Sequence, residues 1–290
     1  MKDSFHINTK VLGLIGHPIK HSYSPFIHNI AIELKKLDYI YLPFDVPAAN
    51  LRNAVKGMNA LGIKGFNVTI PHKESIIQYL SNLSEEASII GSVNTVTNDL
   101  GKLTGYNTDV NGVVETLIPY KDEITGSQVC VVGAGGGSRA VIYALIRHFK
   151  PAKIFLINRT EGRAELLKNY FNAKMKFDGF KTRELFPPDL VEVFRDSKLI
   201  INATPVGMFP ENDDSITRLE NSFVKEQIIF DLVYNPPKTK LLQLAEKKGA
   251  IALDGLKMLV HQAAKAFEIW TGEQVPVEEL QRSLELYISD

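Results

Sequence analysis

The chain has very little cysteine and no excess of charge of either sign. Its 290 residues include a single cysteine, Cys130, so an internal disulfide is excluded. Valines flank this residue, which favours a buried strand position over a catalytic thiol. Lys plus Arg number 33 and Asp plus Glu also 33, so the basic surplus that neutralises a nucleic-acid backbone is missing. We therefore expect a small-molecule partner and no nucleic acid.

Long apolar runs are also missing. No stretch approaches the roughly 20 apolar residues that a membrane-spanning helix needs. The first residues lack the basic segment, apolar run and small-residue cleavage site of a secretion signal. We expect no membrane partner and a cytoplasmic location.

Metal-ligating residues do not form a favourable pattern. His17 and His21 have the spacing of two ligands on one helix turn, but Pro18 between them indicates a loop. No third ligand follows at a sensible spacing, so we expect no metal.

The order of apolar segments predicts an α/β protein with two domains. With 44% hydrophobic and 23% charged residues, the chain is long enough for two hydrophobic cores. The first part alternates predicted strands and helices. The strands are expected at 10–15, 39–45, 65–69, 93–97 and 103–106, and the helices at 25–37 and 50–61.

A second α/β pattern begins at Gln128. A strand at 128–132, a glycine-rich turn, a helix at 138–149, a strand at 153–157 and a helix opening near Thr160 form a βαβ unit. Buried strands at 199–203, 228–232 and 251–253 extend it into a doubly wound parallel sheet, and amphipathic helices follow at 256–270 and 277–288. We expect a Rossmann-type domain at 110–255 and a discontinuous catalytic domain at 1–109 and 256–290.

The glycine-rich turn predicts a dinucleotide site because it follows a strand and precedes a helix. Gly133 permits a tight turn, and Gly135 lets the backbone approach a pyrophosphate at the helix N-terminus. Ser138 stands where a third Gly or Ala is usual, and it is small enough for close packing. A flexible glycine loop without a ligand is the alternative. The predicted cofactor-binding residues are Gly133, Ala134, Gly135, Gly136, Gly137 and Ser138.

The end of the second strand of this unit favours NADP over NAD. An NAD-binding protein carries an acidic residue there for the ribose 2′-hydroxyl, whereas this chain has Asn158, Arg159, Thr160 and Arg163. The arginines can form charge-assisted hydrogen bonds with a 2′-phosphate, and Asn158 and Thr160 can add neutral ones. The alternative is that both arginines are solvated residues at a helix start.

Polar clusters occupy the predicted strand ends of the first part, where ligand sites of α/β proteins form. Each cluster alone has an ordinary explanation, such as a helix cap, a turn or a surface charge. Their combination with a dinucleotide site favours catalysis. The clusters are 21–25, 67–73, 94–95 and 107–109.

These motifs, in this order and over nearly the whole chain, resemble the shikimate dehydrogenase family, whose members interconvert 3-dehydroshikimate and shikimate with NADP. The resemblance rests on Ser22-Tyr23-Ser24-Pro25, Asn67-Val68-Thr69-Ile70-Pro71-His72-Lys73, Gly91-Ser92-Val93-Asn94-Thr95, Gly105-Tyr106-Asn107-Thr108-Asp109, the glycine turn, Asn158-Arg159-Thr160, Asn202-Ala203-Thr204-Pro205-Val206-Gly207-Met208, Asp231-Leu232-Val233-Tyr234-Asn235-Pro236 and the segment from Gly255 to Gln262.

The resemblance implies a role for each matching residue. Lys73 and Asp109 are implied to form the catalytic pair, and backbone near Leu232, Gly255 and Met258 to border the nicotinamide. The implied substrate-binding residues are Ser22, Ser24, Asn67, Thr69, Asn94, Tyr234 and Gln262.

Two other functions fit the same motifs. One is a quinate/shikimate dehydrogenase relative that prefers NAD, and the other is a non-catalytic NADP-binding regulator of the same fold. The missing acid after Ile157 opposes the first, and the presence of both Lys73 and Asp109 opposes the second. The sequence leaves open whether the chain is a monomer or a homodimer.

Overall fold

A computed structural model describes residues 6–289 and divides the chain into two compact units. The first unit contains the residues up to Gly112 together with those from Leu259 onward, and the second runs from Val113 to Met258. Within residues 6–289, no helix is both long enough and apolar enough to cross a bilayer.

The first unit is built around a six-stranded sheet. Its strands and helices are β1 (Lys10–Gly16), α1 (Ser24–Leu34), β2 (Tyr39–Asp45), α2 (Leu51–Ala60), β3 (Gly65–Val68), β4 (Asn82–Leu83), α3 (Glu85–Ile90), β5 (Thr95–Asp99), β6 (Lys102–Tyr106) and the start of α4 (Asp109–Leu117), whose residues from Val113 onward belong to the second unit. Short 3-10 turns lie at Ala48–Asn50 and Ser75–Tyr79.

The sheet of the first unit is mixed, with the strand order β2-β1-β3-β5-β6-β4. β1 and β3 are parallel, whereas β5 is antiparallel to both β3 and β6. The carboxyl ends of β1, β3 and β6 and the start of β5 therefore lie at one edge of the sheet. The loops at this edge carry the polar clusters that the sequence singled out.

The second unit has a six-stranded sheet of its own. Its elements are α5 (Lys121–Ile124), β7 (Gln128–Val132), α6 (Gly136–Ala144), β8 (Lys153–Asn158), α7 (Glu161–Met175), β9 (Phe180–Glu184), α8 (Pro187–Asp196), β10 (Leu199–Asn202), β11 (Ile228–Asp231), α9 (Lys240–Glu246) and β12 (Ile251–Leu253). Two helices follow, α10 (Leu256–Thr271) and α11 (Val277–Ser289).

Every strand pair in the second sheet is parallel, and the order is β12-β11-β10-β7-β8-β9. The chain moves outward from β7 to β9 and returns to β10 on the other side of β7. This is the doubly wound order of dinucleotide-binding sheets, and it confirms the predicted fold class. Ligands of such sheets bind at the carboxyl ends of the strands, where the order reverses.

The C-terminal helices cover part of the first sheet. The indole Nε1 of Trp270 donates to Val96 O at 2.9 Å. Only glycine fits at position 65, because a Cβ there would collide with the indole of Trp270. On α11, Tyr287 stacks on Phe26 of α1 with ring centroids 4.2 Å apart.

Several predicted boundaries were wrong for local reasons. The helix expected at 138–149 begins at Gly136 and continues after Ala144 as a wider π-helical turn to Phe149. The helix expected at 25–37 ends at Leu34, because Lys36 adopts a left-handed φ of 53°. The strand expected at 93–97 begins at Thr95.

Candidate functional site

Lys73 and Asp109 form an ion pair at the loop edge of the first sheet. Lys73 Nζ lies 2.6 Å from Asp109 Oδ2, and the two side chains are 18% and 5% exposed. Lys73 follows β3 in the loop, and Asp109 is the first residue of α4. Partial shielding from water strengthens the pair and leaves the ammonium accessible from one side.

A buried histidine anchors the turn before Lys73. His72 is 1% exposed, and its Nε2 lies 2.6 Å from the backbone oxygen of Val46. Because a carbonyl oxygen can only accept, Nε2 carries the proton. The backbone oxygen of Lys73 accepts from Val93 N at 2.8 Å, two residues before β5 begins at Thr95. Both bonds hold the loop that carries Lys73 against its neighbours.

The side chain of Asn94 joins several predicted site residues. Its Nδ2 lies 2.9 Å from Asp109 Oδ1, 2.9 Å from Thr108 Oγ1 and 3.2 Å from Gln262 Oε1. Its Oδ1 accepts from Thr108 N at 2.7 Å. An amide carries only two protons for these three acceptors, so the longest contact, to Gln262, is the one most easily exchanged.

The hydroxyls of the Ser22–Ser24 segment and of Thr69 line the same edge. Ser24 begins α1 and is 7% exposed, and its N–H donates to Ser22 Oγ at 3.3 Å. Thr69 is half-buried, and its backbone N–H donates to Ile15 O at 2.9 Å. Within residues 6–289 the Thr69 hydroxyl has no hydrogen-bond partner, so it is available to a ligand.

Asn67 differs from the other predicted residues, because its amide already has partners. Tyr41 Oη donates to Asn67 Oδ1 at 2.8 Å, and Asn67 Nδ2 donates to Asn94 O at 3.0 Å and to Thr95 Oγ1 at 3.1 Å. Asn67 is 5% exposed. It can reach a substrate only by exchanging one of these bonds.

The glycine turn of the second unit connects β7 to α6. Gly133 has φ of 117°, and a Cβ there would lie 2.9 Å from Ala203 O, so the position requires glycine. Gly135 is the N-cap of α6, and a Cβ there would meet nothing within 4 Å, which leaves open space beside the helix start. Ala134, Gly136 and Gly137 are half-buried around it.

The start of α6 has the properties of an anion site. Its first N–H groups have no acceptor within the helix, and the helix dipole makes this end positive. Ser138 is fully buried, and its Oγ has no partner within residues 6–289. The open cradle and the unpartnered hydroxyl fit a cofactor pyrophosphate.

The end of β8 presents cationic and neutral donors. Asn158 is the last residue of β8, and its Nδ2 donates to Thr160 O at 2.8 Å. Arg159, Thr160 and Arg163 are exposed, and neither arginine forms an ion pair with any described residue. Both guanidinium groups are therefore free to meet a phosphate.

The remaining predicted cofactor residues meet where β11 and β12 end. Leu232 follows β11, and Gly255 lies at the corresponding position after β12, which is the neighbouring parallel strand. A Cβ on Gly255 would collide with the carbonyl group of Leu232, so glycine permits this close approach. Met258 lies in the first turn of α10, and Tyr234 is a half-buried residue in the loop after β11.

Comparisons with known proteins decide the family. The model described as "Shikimate dehydrogenase substrate binding domain" matches residues 14–96, and "Shikimate 5'-dehydrogenase C-terminal domain" matches residues 255–285. A protein of Caldanaerobacter subterraneus subsp. tengcongensis named shikimate dehydrogenase (NADP(+)) is 47% identical over 267 residues, which are 91% of this chain and 92% of that protein. The chain belongs to the shikimate dehydrogenase family.

Solved structures agree with this assignment. A crystal structure of a shikimate dehydrogenase in complex with NADP+ has a TM-score of 0.89 and 39% identity, and the match covers 99% of this chain and 98% of the other. A shikimate 5-dehydrogenase of Listeria monocytogenes, in complex with shikimate and NAD, has a TM-score of 0.86 and 36% identity, covering 98% and 99% of the chains. The resemblance inferred from the motifs is confirmed.

The sequence motifs gave no role to Thr108 or Tyr41 in this member of the shikimate dehydrogenase family. The structure places both residues in contact with predicted site residues. Thr108 bonds to both ends of the Asn94 amide, and Tyr41 orients Asn67. Thr108 precedes Asp109 within a motif, so adjacency was an available signal. Tyr41 lies in β2 and is 1% exposed, and nothing local distinguishes it from an ordinary core residue.

Proposed function

We propose that this chain is an NADP-dependent shikimate dehydrogenase, which reversibly reduces 3-dehydroshikimate to shikimate in chorismate and aromatic amino-acid biosynthesis. The observation that carries the proposal is the 2.6 Å pair of Lys73 and Asp109 among hydroxyl and amide side chains. Family membership and the NADP(+)-dependent relatives support the same reaction.

Lys73 is the proton donor in the direction of reduction. When bound, NADPH would supply the hydride to the carbonyl carbon, and the protein would have to stabilise the negative charge that develops on the oxygen. The Lys73 ammonium stabilises that charge, donates its proton to the oxygen and regains a proton from solvent. In the reverse direction its neutral amine accepts the hydroxyl proton.

Asp109 orients the ammonium without touching the reacting atoms. Its Oδ2 accepts from Lys73, and its Oδ1 is held by Asn94 at 2.9 Å, so the carboxylate cannot rotate away freely. The negative charge of Asp109 also attracts the ammonium of Lys73 and holds it at this position.

Hydroxyl and amide groups recognise the polyhydroxylated ring. Each unpaired polar group that a wrong substrate leaves in a buried site weakens its binding, so such groups select for matching hydroxyls and the carboxylate. The exchangeable contact of Gln262 and the unpartnered hydroxyl of Thr69 support direct contact with substrate. We propose that Asn67 contributes mainly through its bonds to Asn94. The substrate-binding set is Ser22, Ser24, Asn67, Thr69, Asn94, Tyr234 and Gln262.

The second unit holds the cofactor in our proposal. The start of α6 binds the pyrophosphate, Arg159 and Arg163 bind the 2′-phosphate with Asn158 and Thr160, and backbone near Leu232 and Gly255 borders the nicotinamide together with Met258. We further propose a cytoplasmic enzyme that is a monomer or a homodimer, which light scattering after gel filtration distinguishes.

Initial rates with shikimate or quinate and with NADP or NAD test the proposal. The nicotinamide absorbance band should rise with shikimate and NADP far faster than with the other three pairs. A preference for quinate and NAD would instead identify the quinate-type relative. Tight NADP binding without turnover of either substrate would identify the regulatory protein.

A further inference from the structure

A buried carboxylate joins two loops of the second unit that carry predicted cofactor residues. Asp231 is the last residue of β11 and is 0% exposed. Its Oδ1 accepts from Asn202 Nδ2 at 2.9 Å and from Val233 N at 3.1 Å, and its Oδ2 accepts from Thr239 Oγ1 at 2.7 Å. The end of β10, the loop after β11 and the N-cap of α9 therefore converge on one side chain.

On one side, the carboxylate connects to the glycine turn. Asn202 ends β10, and its Oδ1 accepts from the backbone N–H of Thr204 at 3.1 Å and from Thr204 Oγ1 at 2.6 Å. The methyl group of Thr204 and the carbonyl of Ala203 lie beside Gly133, within 3.0 Å of where a Cβ would stand. The position of Asn202 thus determines where this loop meets the pyrophosphate turn.

On the other side, the carboxylate holds the loop proposed to border the nicotinamide. The N–H of Val233 donates to Asp231, and the Val233 oxygen accepts from Gly255 N at 3.2 Å. Leu232 lies between Asp231 and Val233 in the chain, and its carbonyl group lies close against Gly255. Thr239 also caps α9, where its Oγ1 accepts from Leu242 N at 3.4 Å.

Stability alone is a poor explanation for this carboxylate. Asp231 forms no ion pair with any described residue, so its charge is balanced only by hydrogen bonds. Burial raises the pKa of Asp231 to about 6, partly opposed by the bonds from Thr239, Val233 and Asn202. Whenever this buried carboxylate is ionised, hydrogen bonds without a neighbouring cation leave a charge that costs stability.

We propose that Asp231 is a positioning residue for the nicotinamide end of the cofactor, acting through the loops that begin at Leu232 and Ala203. The inference rests on the proposed NADP-linked function. Asp231 contacts neither substrate nor cofactor; it determines the backbone positions of Leu232 and Val233 and, through Asn202, that of Thr204.

Comparing NADP with adenosine 2′,5′-bisphosphate, which lacks the nicotinamide half, tests the proposal by calorimetric titration. Asp231→Asn replaces one of the two carboxylate oxygens with an amide donor. Depending on the amide orientation, either the Thr239 hydroxyl loses its acceptor, or the Asn202 amide and the Val233 N–H lose theirs. Losing the equivalent of one hydrogen bond should weaken NADP by about tenfold. Affinity for the bisphosphate, which lacks the nicotinamide half, should fall much less than the affinity for NADP.

Further variants separate positioning from folding. Thr239→Ser keeps the hydroxyl and should behave as wild type, whereas Thr239→Val should lose NADP affinity selectively, even if Asp231→Asn does not fold. Glu165→Gln is the matched control, because it changes another carboxylate that accepts from a threonine hydroxyl. That threonine, Thr182, lies in the edge strand β9, away from β11. The control variant should change neither affinity.

Two outcomes of these titrations with NADP and the bisphosphate would overturn the proposal. Equal loss of both ligands in Asp231→Asn and Thr239→Val would assign the cluster to folding alone, and unchanged NADP affinity in both would show that the loops do not need it. A wild-type protein that fails to bind NADP would contradict the proposed function itself and is recognised before any variant is made.

Discussion

Removing the Lys73 ammonium should reduce turnover far more than it reduces cofactor binding. Lys73→Ala removes both the proton and the positive charge at the developing alkoxide, so turnover should fall by a factor on the order of a hundred to ten thousand. That range corresponds to about 3–5 kcal/mol in the activation barrier. NADP affinity should survive, because the proposed cofactor residues belong to the second unit.

The same substitution should lower stability by an amount that depends on the burial of its partner. Asp109 is 5% exposed, and after Lys73 is lost its carboxylate would keep, among the described residues, the Asn94 bond of 2.9 Å alone. Breaking a buried ion pair costs about 3–5 kcal/mol. Because the Lys73 side chain is itself 18% exposed, water reaches the pair, and we expect the lower part of that range.

A double-mutant cycle tests whether the pair acts as one unit. Asp109→Asn keeps the shape of the carboxylate but removes the charge that orients Lys73, so turnover should fall while substrate affinity changes less. The double variant should be about as slow as Lys73→Ala alone, since the function of a pair cannot be lost twice.

Initial rates, NADP titration and circular dichroism on these variants separate chemistry from misfolding. Lys102→Ala, which changes an exposed lysine of β6, is the matched control and should keep wild-type turnover. A folded Lys73→Ala protein with near-native turnover would refute the assignment, and so would fully additive effects in the cycle.

Three further changes probe other parts of the molecule. Arg159→Ala should weaken NADP by about 1.5–3 kcal/mol, the value of a hydrogen bond to a charged group, and leave NAD unaffected in parallel titrations; equal losses would place Arg159 outside the 2′-phosphate site. Gly133→Ala should lower both the melting temperature and NADP affinity, because φ of 117° and the Ala203 carbonyl exclude a Cβ; native values would contradict that geometry. Burial lowers the pKa of His28 from 6.5 to about 3, so only the unfolded chain takes up this proton between those values. Relative to His28→Phe, wild-type stability in urea should therefore fall by about 1.4 kcal/mol per pH unit as the pH drops below 6.5, and a pH-independent difference would show that His28 titrates normally.

The sequence predicted best those parts of the fold whose signals are local. The strand, glycine turn and helix around Gly133 are adjacent, and β7 is apolar and buried from Val129 to Val132. It did not predict β9, where Phe180 and Thr182 are buried while Lys181, Arg183 and Glu184 are exposed. Because three of its five residues are charged, this edge strand lacks the apolar pattern that predicts a buried strand.

The site was predictable as a set of residues but not as a network. Motifs identified Lys73, Asp109 and Asn94, because polar residues at strand ends are unusual in an apolar pattern. The contact of Asn94 with Gln262 joins residues 168 positions apart, and no local pattern encodes it. The hydrogen bond from Tyr41 to the Asn67 amide also depends on tertiary packing alone.

The discontinuity of the first unit has a consequence for synthesis in the cell. A ribosome that adds about 5–20 residues per second makes the whole second unit before it reaches the segment that completes the first sheet. Until Trp270 arrives to bond Val96 and cover Gly65, the nascent first sheet exposes that surface to chaperones and to other chains. The unit whose synthesis begins first is therefore the last to have all of its residues available for folding.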